Sequence, residues 1–64
     1  MAAKSLKNEY PIHWLVWHNS FRELDADIEA NMYDLELLDP RGRTPLHLAV
    51  ALGHLESTRV LLRH

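Results

Sequence analysis

Asp39-Pro40-Arg41-Gly42-Arg43-Thr44-Pro45-Leu46-His47-Leu48-Ala49, followed by Val50-Ala51-Leu52-Gly53-His54-Leu55-Glu56, is the stretch that decides the fold. Asp39 to Gly42 carries the residues of a β-turn, with proline fixing φ at the second position. Thr44 is a good N-cap, and Pro45 suits the first helical position, where a missing N–H costs nothing. A helix is therefore expected from about Pro45 to Leu52. Gly53 tolerates positive φ and ends it. A second helix should then run from about His54 to Arg63, carrying the apolar run Val60-Leu61-Leu62.

Upstream, the same unit recurs in weaker form. Tyr10-Pro11-Ile12-His13 matches Thr44-Pro45-Leu46-His47, proline on proline and histidine on histidine, 34 residues apart. At that offset Asn19 falls on Gly53, Phe21 on Leu55 and Ile28 on Leu62. Pro11 to His18 reads as a helix stopped at Asn19, the next residue after glycine to accept left-handed φ. Phe21, Leu24 and Ile28 form the stripe of an amphipathic helix. The expectation is four helices in two antiparallel pairs, with the Asp39–Gly42 turn projecting as a finger. Residues 1–9 are expected to be a mobile N-terminal segment. Residues 10–38 form a degenerate first unit plus connection, and residues 39–64 the second unit.

Composition narrows the function. The chain has 64 residues, no cysteine and a net charge of −2. That excludes disulfides and thiolate chemistry, and offers no basic face for nucleic acid. No apolar run approaches the roughly 20 residues of a membrane-spanning helix, and Met1 to Lys7 lacks the apolar core of a secretory signal. No cofactor is expected. Neither His13 and His18 nor His47 and His54 has the i, i+4 spacing of a helical zinc site, so no metal is expected either.

The Asp39–Ala49 stretch closely resembles the opening of an ankyrin repeat, with Gly42, Thr44, Pro45, Leu46, His47, Ala49 and Gly53 as its structural residues. The implied fold is an all-α ankyrin repeat solenoid of two helix-turn-helix units. With Tyr10-Pro11-Ile12-His13-Trp14-Leu15-Val16-Trp17-His18-Asn19 and Leu52-Gly53-His54-Leu55-Glu56-Ser57 added, the chain is similar to the N-terminal ankyrin region of the ankyrin repeat domain-containing protein 13 family. That resemblance implies an adaptor in the cytoplasm, peripheral to plasma membrane or endosome, working in ubiquitin-linked trafficking. Its partners would be ubiquitinated membrane receptors, reached through ubiquitin-interacting motifs that lie outside this chain.

An ankyrin unit cannot bury its apolar face alone, and about three stacked units are the usual minimum. Asp27, where the second unit has Leu61, fits a first unit facing water. Leu61, Leu62 and Leu55 are expected to face the place of a third unit, which suggests a truncated stack that self-associates when isolated.

His47, three residues after Thr44, is expected to bond the threonine hydroxyl. His13 follows Tyr10 and lacks that partner. His18, His54 and His64 are expected in solvent. Trp14 and Trp17 could both bury ring area at the front of the stack. By position in the repeat, however, the concave binding face comprises Trp17, His18, Pro40, Arg41, Arg43, Ala51 and Leu52. Arg41 and Arg43 could meet an acidic partner or simply be solvated.

The favoured reading is a protein–protein interaction module, not an enzyme. Two alternatives are a shortened product without independent function, and a small histidine-dependent hydrolase or metal-binding domain. For the latter, Ser5, Ser20, Ser57 and Asp25 supply residue types but no catalytic motif.

Overall fold

The computed structural model describes residues 6–31 and 33–64. Among these, all regular structure is helical: α1 (Leu6–Glu9), α2 (Pro11–Trp17), α3 (Phe21–Ala30), α4 (Pro45–Leu52) and α5 (Leu55–Arg63). Helices α2 and α3 form the first unit, and α4 and α5 the second. The units stack with α2 against α4 and α3 against α5.

The second unit begins and ends as its residues require. The Thr44 hydroxyl oxygen accepts the His47 amide at 3.2 Å, and Pro45 occupies the first helical turn. Gly53 takes φ +73°. The amide of Gly53 reaches Val50 O and that of His54 reaches Ala49 O, which satisfies the last carbonyls of α4. The first unit closes in the same pattern. Asn19 takes φ +53°, and the amides of Asn19 and Ser20 reach Val16 O and Leu15 O. Asparagine thus performs the turn that glycine performs 34 residues later. The cap at the other end differs: Tyr10 makes no side-chain cap bond to α2.

The core is a single cluster of Ile12, Leu15, Val16, Leu24, Leu48, Ala49, Val60 and Leu61, with Phe21, Ile28 and others half-buried against it. It draws on all four long helices, so the two units share one core. Each fully buried Val or Leu side chain contributes about 1.5–3 kcal/mol.

Four expectations need correction. Of the segment expected to be mobile, residues 1–5 lie outside the described residues, but Leu6–Glu9 forms a helical turn packed on α2. That makes a fifth helix where four were expected. The Lys7 ammonium sits 5.0 Å from the Trp14 ring centroid, a cation–π contact that helps hold it. Second, the outward-facing set of leucines is smaller than expected. Val60 and Leu61 are buried, so Leu61 does not face outward, while Leu62 is 69% exposed. Third, Asp27 is half-buried rather than open to water. It accepts the Tyr33 hydroxyl at 3.1 Å and an Asn31 side-chain N–H at 3.1 Å, which ties the connection back to α3. That carboxylate pushes the Tyr33 pKa up, because ionising the phenol would lose the bond and set two anions together. Fourth, two of the three histidines expected in solvent make hydrogen bonds, although His64 remains exposed. His54 is half-buried and its Nε2–H donates to Trp17 O at 3.3 Å, while His64 Nε2 lies 2.8 Å from Asp25.

Candidate functional site

The finger between the units is built around one carboxylate. Asp39 Oδ1 accepts the amides of Arg41 at 2.9 Å and Arg43 at 2.8 Å, and Oδ2 accepts Arg43 Nε at 3.1 Å. The β-turn closes with Gly42 N on Asp39 O at 2.9 Å, and Gly42 takes φ +78°. Asp39 is buried. Burial alone would raise its pKa, but the two amides and the Arg43 charge outweigh it and hold the carboxyl below its ordinary value of 3.8.

His13 fastens this finger to the first unit. It is 1% exposed, and its Nε2–H donates to Arg43 O at 2.8 Å. A carbonyl only accepts, so the bond fixes the proton on Nε2. The Tyr10 ring meets the imidazole edge-on at 5.7 Å. His47 bonds as its sequence suggested, Nδ1 to Thr44 Oγ1 at 3.0 Å, but it is exposed.

At the root of the finger lies a small open cleft of about 190 Å³. It is lined by Trp17, Pro40, Arg41, Arg43 and Asp39, with the buried residues His13 and Leu48. Four of the seven residues expected on the concave face, Trp17, Pro40, Arg41 and Arg43, therefore converge. Trp17 is 46% exposed, unlike Trp14, which is half-buried against the core. Ala51 and Leu52 lie exposed at the end of α4, outside the cleft lining. His18 also stays apart, its ring tilted against Trp14 with centroids 4.4 Å apart. The residues that sequence reasoning missed are His13, Asp39 and Leu48. The matched histidines pointed to His13, and Asp39 opens the turn.

Two other places gather polar groups. A broad groove of about 820 Å³ on the front of the first unit is lined by Lys7, Trp14, Ser20, Glu23 and Asp27, among others. On the outer side, donor atoms of Asp25, Glu29 and His64 lie within 4.8 Å of one another, although no metal was expected. Asp25 already accepts Arg63 Nη2 and faces His64 Nε2, both at 2.8 Å. The His64 bond, with Arg63, holds the Asp25 pKa low against desolvation. This carboxylate works as an ion-pair partner joining α5 to α3.

Ser5 lies outside the described residues. Ser57 is buried and its hydroxyl donates to Asn19 Oδ1 at 2.8 Å. Thr44 is bonded to His47, but its oxygen is committed to the helix cap. Among the described residues, no helix is long and apolar enough to cross a membrane.

The ankyrin repeat family profile matches residues 41–64. The chain is 60% identical over 63 residues to ankyrin repeat domain-containing protein 13B of Mus musculus, covering 98% of this chain and 10% of that protein. It is 58% identical over 57 residues to protein 13A of Homo sapiens, covering 89% and 9%. With protein 13C of Danio rerio it shares 40% over 55 residues, covering 86% and 11%. No solved structure matches it. The chain thus spans about a tenth of the length of the curated relatives it matches. With an ankyrin repeat in its second unit and that identity along nearly all of its length, the chain is similar to the ankyrin repeat domain-containing protein 13 family over the tenth of those proteins that it spans.

Proposed function

We propose that this chain is the partner-binding part of an adaptor, recognising another protein through the cleft at the finger root and the concave surface around it. Ankyrin repeats mediate protein partnerships. The observation that carries the reading here is the convergence of an exposed Trp17 with Pro40 and Arg41 on a finger already held in place. Tryptophan and arginine are the residue types most enriched among interface hot spots. A surface fixed before binding loses little conformational freedom when a partner arrives.

The family resemblance supports a finer role. The adaptor acts in the cytoplasm, at plasma membrane or endosome, in ubiquitin-linked trafficking, and any ubiquitin contact is made by regions beyond this chain. Ala51, Leu52 and His18 extend the surface outside the cleft. The test is co-precipitation of known partners by a full-length family member, comparing the native residue with Trp17→Ala. Loss of a partner at unchanged thermal stability supports the reading. Unchanged capture of every partner removes the concave surface from it.

A further inference from the structure

We propose that the cleft at the finger root takes an acidic peptide segment of a partner protein, one apolar side chain entering beside Trp17 and an adjacent carboxylate pairing with Arg41. This rests on the concave-surface reading above and gives its partner a chemistry.

Size argues for a single side chain. The cleft measures about 190 Å³, below the roughly 300–1,000 Å³ of small-molecule sites. A benzene-sized group, by comparison, fits a cavity of about 150 Å³. The ring of Trp17, the ring of Pro40 and the buried Leu48 offer carbon to that side chain.

Charge argues for an acid. The cleft holds two arginines and one aspartate, and they are not equivalent. Asp39 has both oxygens filled by finger amides and by Arg43 Nε. The Arg43 charge is spent within the finger, and its side chain is a positioning group. Arg41 contributes its backbone amide to the same carboxylate, but its exposed guanidinium has no ion-pair partner among the described residues. The mouth of the cleft therefore carries one uncompensated cation, in a chain whose net charge is −2. A planar guanidinium matches a carboxylate in bidentate geometry. A lone arginine suits one carboxylate better than a phosphoryl dianion, which is typically met by an arginine cluster.

The site is also formed in advance. His13 and Asp39 fix the finger from two sides, and His54 donates to the carbonyl of Trp17.

The experiment uses the 64-residue chain and short fluorescent peptides alternating leucine with glutamate, read by anisotropy. Matched peptides carry lysine for glutamate, alanine for leucine, or phosphoserine for glutamate. The leucine–glutamate peptide should bind and weaken with added salt. The lysine peptide should not bind, and the alanine peptide should bind less tightly. Arg41→Gln should cost tenfold or more in affinity with the melting temperature unchanged, whereas Arg43→Gln should lower the melting temperature as well. Equal binding of the lysine peptide, or full affinity in Arg41→Gln, overturns the proposal. Binding of the phosphoserine peptide alone replaces the carboxylate with a phosphoryl group and overturns it too. If Trp17→Ala costs the full-length protein its partner while Arg41→Gln does not, the concave surface stands and the acidic peptide falls. If neither substitution matters there, both fall.

Discussion

His13 and His47 hold the same place in the two units, and the structure gives them different work. His47 closes its own unit, bonding the Thr44 hydroxyl, and its ring stands in solvent. His13 has Tyr10 where that threonine would be, and makes no such bond. It reaches forward 30 residues to the carbonyl of Arg43 and is buried by the unit stacked over it. One residue type at one repeat position is thus a local clasp where nothing covers it and a link between units where something does. The imidazole permits both because its two nitrogens face different directions.

The comparison is broken most severely by His13→Ala. It removes a buried donor, opens a cavity, and should cost about 3 kcal/mol in denaturant unfolding. A loss under about 1 kcal/mol, the scale of a single ordinary hydrogen bond, would show that the forward link is not structural.

Asp39 comes next, because it holds the other end of that link. Its folded pKa lies below 3.8, so its contribution to stability is complete above the unfolded value and is lost as pH falls through the folded one. Unfolding followed at pH 7 and at pH 3 should show a loss that Asp39→Asn reduces, the remainder including Asp25, whose pKa is also held low. Asp39→Asn itself should cost about 2 kcal/mol at pH 7, the scale of a charge-assisted bond.

His47→Ala should cost less, about 0.5–1 kcal/mol, since the ring is exposed and Thr44 keeps its amide bond. In a chain carrying a further repeat after His64, the same substitution should approach the cost at His13. An equal effect in both chains would sever the analogy between the two histidines.

The smallest effect on stability should come from Leu55→Glu or Leu62→Glu, within about 0.5 kcal/mol, because both side chains are roughly 70% exposed. These changes should nonetheless reduce self-association measured by sedimentation, since bare leucines two turns apart on one helix favour it.

Helix ends were legible in the sequence because their causes are local. Thr44-Pro45 starts α4, Gly53 stops it, and Asn19 copies the stop. The turn of α1 was not legible, since it depends on packing against α2 and on Lys7 meeting Trp14. The cleft lining was legible by register alone, which placed Trp17, Pro40, Arg41 and Arg43 together without separating the two arginines. That separation is made by the turn, which aims Arg43 at Asp39 and leaves Arg41 outward. The seam between units was invisible for another reason. Ser57 to Asn19, His54 to Trp17 and Arg63 to Asp25 each join residues 37 or 38 apart. Nothing in the local pattern announces such pairs before the faces are in register.

The carbonyl of Arg43 has two lone pairs, and both are taken: Asp39 N within the finger and His13 Nε2 from α2, each at 2.8 Å. One oxygen therefore belongs to two foldons. Fraying of α2 strips a bond from the finger of the unit behind it, and opening of the finger unseats the histidine in front. In native-state hydrogen exchange, the Asp39 amide should then exchange no faster than the amides of α2, although it sits in a surface turn. Exchange would report the length over which unfolding is concerted, and here that length would exceed one repeat.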